Sequence, residues 1–220
     1  MRIIALDTEY TKNQVPFLGT MCGTNLKSYG FDLKNPVRFN RFKSLCENPH
    51  ILKIFHSAVS DIYALSKIGI NVCLPYHDTL IMASILCGGE GKVGLKDLAR
   101  ILLHEETDEE SVLKEFKKNY KKEYKKKHGV SMRKDEFCYS LIPINILTPY
   151  AKMDAVYTIR LYYLFKIIIG RYQNLYNLEL SLVAIIVKMM QNGMRVNRLK
   201  TKRLLEHNTR KLEDLRNYFD

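Results

Sequence analysis

Ile3–Thr11 reads IIALDTEYT. Its apolar opening, with two β-branched isoleucines, has the composition of a buried strand. Asp7 and Glu9 follow two residues apart, so on a strand both side chains leave on the same face. Two like charges that close repel, and each raises the other's pKa unless a cation neutralises them. Carboxylate oxygens are hard donors that suit Mg²⁺ or Mn²⁺. A strand end frayed into water would also tolerate such a pair, so the stretch alone leaves both readings open.

The surrounding chain supplies a sheet and its helices. Residues 2–7 read as a first strand. PFLGTMCGT (16–24) and KSYGFDL (27–33) read as two more, joined by a turn around Asn25 into a meander. RFNRFKSLCENPH (38–50) has helical spacing and stops at Pro49. ILKIFHSA (51–58) is strand-like, and SDIYALSKIG (60–69) is a short helix ended by Gly69. INVCLPYHDT (70–79) reads as a strand leading into the helix LIMASILCGG (80–89). After a glycine-rich break comes an amphipathic helix, LKDLARILLH (95–104). Residues 109–128 are helical and basic, 129–149 irregular with prolines as breakers, and 150–176 one long apolar helix. Residues 177–220 are helical with a break at NGMRVN (192–197), where Gly193 supplies a turn. Strands first, then strands alternating with helices, then helices alone imply a mixed sheet flanked by helices. No internal repeat or low-complexity linker is present.

The net charge of +12 favours a polyanionic partner, nucleic acid before an anionic membrane surface. Cys22, Cys46, Cys73, Cys87 and Cys138 are scattered and never form a CxxC pair, which points to a reduced, intracellular protein without a zinc knuckle or disulfides. Asp7 and Glu9 interrupt the N-terminal apolar run too early for a signal peptide. No window reaches the roughly 18 uninterrupted apolar residues of a spanning helix. LYYLFKIIIG (161–170) and LVAIIVKMM (182–190) come nearest, and each carries a lysine. The expectation is a soluble protein, with no membrane partner, in a cytoplasm (the host's if the source is a virus) or an organelle.

Two further acids stand at structured positions. In FHSAVSDIYAL (55–65), Asp61 follows a strand and begins a helix, where a first-turn acid needs no chemistry to explain it. In PYAKMDAVYT (149–158), Tyr150 and Asp154 are four apart on a helix and share a face. Asp78, in HDT before an apolar helix, reads as an N-cap. In LKEFKKNYKKEYKKKHG (113–129), Lys117, Lys118, Lys121, Lys122, Lys125 and Lys126 fall on one side of a helix. Leu113, Phe116, Tyr120 and Tyr124 fall on the other, as a stripe that docks the helix. Such a ridge is either a solvated face or a set of phosphate contacts.

Taken together, DxE on the first strand, an Asp after a later strand and YxxxD on a late helix resemble the DEDD superfamily of 3'-5' exonucleases. The tyrosine marks the DEDDy branch; the histidine branch carries its base one position earlier, where this chain has Pro149. HDTLIMASILCGGEGKVGLKDLARILL (77–103) is similar to the segment after the second motif in proofreading domains of family A DNA polymerases. LELSLVAIIVKMMQNGMRVNRLKTKRLL (178–205) is similar to the start of the polymerase domain of that family, especially its bacteriophage members.

The resemblance implies an α/β, RNase H-like (DnaQ-like) fold with a mixed five-stranded sheet. The exonuclease domain would occupy 1–176 and a helical extension 177–220, without polymerase motifs. It implies two Mg²⁺ (or Mn²⁺) ions, with Asp7 bridging both, Glu9 and Asp154 completing the site of the attacking water, and Asp61 holding the other ion through water. Tyr150 would orient that water, its phenol being too weak a base at a pKa near ~10. The implied reaction trims single-stranded DNA 3' ends to nucleoside 5'-monophosphates during proofreading, on a primer-template and beside a polymerase domain or subunit. Thr8, Tyr10, His56, Ser57, Lys118 and Lys122 are the candidate substrate contacts, although His56 and His77 each read more simply as hydrogen-bonded structural residues. Tyr10, Phe17 and Tyr63 are candidates to stack an unpaired base, with core packing the simpler role for Tyr63.

The chain departs from the family at Ser57, where asparagine is usual, and at Ser60, where an aromatic is usual. IFHSAVSDI (54–62) also resembles the ribonuclease D group, whose second motif often begins with His. An exoribonuclease is therefore one alternative. A catalytically silent nucleic-acid-binding platform is another, against which the presence of all five site residues stands.

Overall fold

The structure, a computed structural model, describes residues 1–106, 109–133 and 136–219. Residues 134–135 of the expected irregular segment and Asp220 of the expected extension lie outside them. Met1–Val187 forms one compact unit and Lys188–Asp220 a second.

The sheet has five strands in the order β3-β2-β1-β4-β5. They are β1 (Arg2–Tyr10), β2 (Pro16–Gly23), β3 (Ser28–Asp32), β4 (Ile51–Phe55) and β5 (Tyr76–Asp78). β1, β2 and β3 form the antiparallel meander, while β4 runs parallel to β1 and β5 parallel to β4. Strand β1 is central, and alternation sends its residues to opposite faces. Ile4 and Leu6 enter a core with Phe42 and Cys46 of α1 (Pro36–Cys46) and Ala58, Ile62 and Leu65 of α2 (Ala58–Ser66). Ala5 enters the other core, with α3 (Thr79–Leu86), α4 (Leu95–Leu102) and α6 (Ile144–Ile168), through Met82, Leu98 and Ala155. A third cluster joins Phe17 and Leu18 to Leu113 of α5 (Glu109–His128) and to Leu147 and Ala151 of α6.

One register detail places the site. β4 pairs with β1 only from Arg2 to Ala5, whereas β2 continues along β1 to Tyr10. Beyond Ala5 the β4 side of β1 is therefore open, a crevice at the carboxyl ends of parallel strands of the kind that binds ligands in α/β sheets.

Three elements differ from the sequence reading. Helix α6 begins at Ile144 rather than Tyr150 and carries Pro149 inside it. Proline removes one helical hydrogen bond, but Leu147 and Ala151 on the two sides of it are fully buried, and their packing outweighs that loss. The helix then ends at Ile168, and a 3-10 turn, Ile169–Tyr172, precedes α7 (Gln173–Asn192). Strand β5 keeps only the last part of 70–79. In the second unit, α8 (Arg198–Phe219) starts after Asn197, whose side chain accepts from Lys200 N at 3.0 Å. The expected turn at Gly193 is present, with φ +65°. Among the described residues no helix is long and apolar enough to cross a membrane.

Candidate active site

Asp7 and Glu9 share the face of β1 that Ala5 presents to α6. Asp154 is buried on α6. The three carboxylates meet there, with ligand oxygens all within 4.8 Å of one another. Helix α6 is pinned to the sheet by Thr20 Oγ1, which donates to the carbonyl of Ala151 at 3.0 Å. Gly30 makes the close approach possible, since a Cβ there would lie 2.6 Å from Thr148 Cγ2.

The charges are held at a cost. Burial, then repulsion from Asp154, Asp61 and Glu9, holds Asp7 far above the usual carboxylate range, with Lys96 partly offsetting this. Glu9 is pushed up to about 8, by burial first and then by Asp154 and Asp61. Asp7 Oδ2 is buried without a hydrogen-bond partner among the described residues. Buried charge without a partner is strongly unfavourable, and an all-oxygen donor set at this spacing fits a divalent cation of the Mg²⁺ type. Asp7, Glu9 and Asp154 are the residues able to hold it.

Asp61 reaches the site from the opposite face. It sits in the first turn of α2, and Thr8, which points to that face, donates its hydroxyl to Asp61 Oδ1. The acid therefore stands beside the three-carboxylate group rather than within it, near enough to raise Asp7 and Glu9. Burial pushes Asp61 itself up to about 7, against the Thr8 hydrogen bonds. Ser57 at the start of α2 has left-handed backbone, φ +81°, and gives no side-chain cap. Asp78 caps instead, accepting from Ser57 N at 3.1 Å and Ala58 N at 2.7 Å. The same carboxylate caps α3 through Leu80 N at 2.8 Å, as its sequence context predicts.

Tyr150 lies one turn before Asp154 and lines the cleft with Asp7, Glu9 and Tyr139, in a cavity of about 590 Å³. Its ring packs edge-on against Tyr139 at 6.0 Å. Burial first, then Asp154, drives its hydroxyl far above the ordinary phenol range, so it keeps its proton and can donate a hydrogen bond. Lys96, from α4, reaches Asp154 Oδ1 at 2.5 Å and lies over the Tyr150 ring at 4.2 Å.

The candidate substrate contacts divide. Thr8 and Tyr10 line the cleft. Ser57 Oγ bonds to Ser60 Oγ at 3.0 Å. His56 has both nitrogens engaged, with Thr79 Oγ1 at 2.9 Å and the Val93 carbonyl at 3.1 Å, the hydrogen-bonded arrangement its simpler reading describes. His77 likewise bonds Tyr176 Oη at 2.8 Å. Phe17 is core, and Tyr63 packs against the α1–α2 core. On α5, Lys118 and Lys122 point to solvent and Leu113 is buried, as the helical wheel requires. Lys117 departs from the ridge: it lines the cleft, with Nζ 4.9 Å from the Phe137 ring centre. Sequence reasoning missed Lys117 and Tyr139 as cleft residues and Lys96 as the partner of Asp154. Nothing distinguishes Lys96 locally from the other basic residues among the chain's 35.

A family model of 3'-5' exonucleases, the type attached to family A DNA polymerases, matches residues 1–169. The chain belongs to this exonuclease family. No curated protein matches it in sequence. Among solved structures, Brucella melitensis NrnC with bound Mg²⁺ superposes at TM-score 0.62 and 16% identity, over 87% of this chain and 86% of that one. Pol1 of M. smegmatis, in complex with DNA primer-template and dNTP, superposes at 0.63 and 15% identity, over 96% of this chain and 32% of the polymerase. Escherichia coli RNase D, an exoribonuclease involved in structured RNA processing, superposes at 0.52 and 16% identity, over 88% and 46%. At these identities the three establish the DnaQ-like fold of this exonuclease domain and no more.

Proposed function

We propose that the chain is a metal-dependent 3'-5' exonuclease that hydrolyses single-stranded DNA 3' ends to nucleoside 5'-monophosphates. The observation that carries this is the convergence of Asp7, Glu9 and Asp154 around Asp7 Oδ2, which has no hydrogen-bond partner among the described residues. Two Mg²⁺ ions, when bound, supply a water of lowered pKa and charge relief at the departing 3' oxygen. Asp7, Glu9 and Asp154 would hold one cation, with Asp7 and Asp61 the acids that would serve a second. Tyr150 donates a hydrogen bond that orients the nucleophile. Thr8 fixes the Asp61 carboxylate, and the cleft aromatics Tyr10 and Tyr139 receive the terminal base.

The match to exonucleases of the family A DNA polymerase type supports DNA as the substrate, and with it a proofreading role. The helical extension from 177 onward fits the start of a polymerase segment, and the Pol1 superposition spanning nearly the whole chain supports that reading. The partners are then a single-stranded or primer-template DNA and a polymerase domain or subunit. The free cysteines fit a reducing, intracellular compartment.

A second reading, an exoribonuclease, is favoured by His56-Ser57 at the second motif and by the likeness to RNase D. Matched DNA and RNA oligonucleotides, labelled at the 5' end and digested with and without Mg²⁺, separate the two. The expected result is stepwise 3' shortening of DNA that stops in EDTA and is lost in Asp7→Ala, with single-strand binding retained. Faster shortening of RNA than DNA establishes the second reading, and no shortening of either defeats both.

A further inference from the structure

Lys96 is the second residue of α4, whose buried face carries Leu98 and Ala99. Its side chain is only 13% exposed. Nζ lies 2.5 Å from Asp154 Oδ1, 4.2 Å from the Tyr150 ring centre and 4.8 Å from that of Tyr157. An ammonium so enclosed has lost most of its hydration, and a carboxylate with two aromatic faces replaces it. Its field extends past Asp154: of the groups acting on Asp7 and Glu9, Lys96 is the cation that favours their charged forms.

The oxygen it grips belongs to the same three-carboxylate group that fits a divalent ion. A hard cation takes carboxylate oxygens at roughly 2.0–2.1 Å. An ammonium on Oδ1 opposes its settling on Asp154, because the two positive charges would stand within a few ångströms of each other at low dielectric. A surface lysine would simply drift into water. This one is hemmed in by Tyr150 and Tyr157 and leaves less readily.

We propose that Lys96 is a resident counter-cation of the carboxylate cluster, holding Asp154 in the metal-free protein and competing with the divalent ion for it. The inference rests on the reading of the cluster as a metal site. Lys96 then sets the ion concentration at which the cluster loads, and it is a positioning residue rather than a catalytic one.

The test is calorimetric titration of Mn²⁺ into the full chain, without substrate. Lys96→Met should bind Mn²⁺ about tenfold more tightly than the native chain. Its melting temperature in EDTA should fall, because the clustered carboxylates lose their internal cation, and saturating Mn²⁺ should raise it by more than it raises the native value. Lys92→Met, in the exposed loop before α4, should match the native chain in both measurements. Lys96→Gln keeps a hydrogen-bond donor without the charge and gives the same comparison should the methionine variant misfold. A merely structural lysine predicts looser Mn²⁺ binding in the variants, and equal or weaker affinity overturns the proposal. Absence of Mn²⁺ binding in the native chain and all variants is a separate result: it removes the metal site itself and the proposed function with it.

Discussion

Asp7, Glu9 and Asp61 sit where folding opposes their ionisation. Glu9 rises from 4.5 to about 8 and Asp61 from 3.8 to about 7, with burial the first cause in each. Between the ordinary carboxylate range and these values, the folded metal-free protein holds protons that the unfolded chain has released. Stability from these groups is therefore fully present below the unfolded pKa and lost as pH rises through the folded one. In EDTA the melting temperature should be lower at pH 8 than at pH 5 by about 5 °C or more, and Mn²⁺ should restore it at pH 8. An equal melting temperature at both pH values would mean that these acids are not electrostatically frustrated. Tyr150, whose proton is held tightly, is a hydrogen-bond donor in the proposed reaction. Tyr150→Phe should slow turnover about 10- to 100-fold without abolishing it. A loss as complete as in Asp7→Ala would assign the phenol a larger part. The shared faces of Asp7 with Glu9 and of Tyr150 with Asp154 were legible from their spacing on a strand and a helix, while their grouping with Asp61 into one site came from the resemblance to the exonuclease superfamily. Lys96 was not, because its role depends on where α4 docks.

Helices α2 and α3 start from one carboxylate. Asp78 accepts from backbone N–H groups at the first turns of both, and α2 carries Asp61. The sequence identified the cap of α3, which is local. The cap of α2 spans from residue 57 to residue 78 and exists only once β4 and β5 pair. Asp78→Ala should cost about 2–3 kcal/mol in urea denaturation, roughly one unit per cap plus the unmet buried donors. It should also reduce turnover by letting Asp61 drift. A loss of stability below about 0.5 kcal/mol would show that water or the backbone caps these helices as well. Pro149 teaches the converse. Read locally it ends a loop, but the buried Leu147 and Ala151 on either side hold the helix through it.

The basic surface belongs to the whole molecule. Lys118, Lys122, Lys125 and Lys126 of α5 are exposed, while Leu113 on the opposite side is buried in the core with Phe17 and Leu147. Changing these four lysines to glutamine should flatten the dependence of single-strand affinity on salt, by about 2–3 in the slope of log K against log[salt] if each meets a phosphate. An unchanged slope would leave the ridge a solvated face. Lys117, turned into the cleft, should instead affect turnover on short oligonucleotides, where the outer lysines have nothing to hold.

From its sequence alone the chain determined the strand that carries Asp7 and Glu9, the helix that carries Tyr150 and Asp154, the meander and the docking stripe of α5. These follow from periodicity, which is a property of neighbouring residues. Tertiary structure alone decided that β4 leaves β1 after Ala5, that Asp61 arrives across the sheet while Asp154 arrives beside Asp7, and that Lys96 lies against Asp154. Contacts between residues tens of positions apart depend on how faces pack, and packing energy is not written in any local pattern.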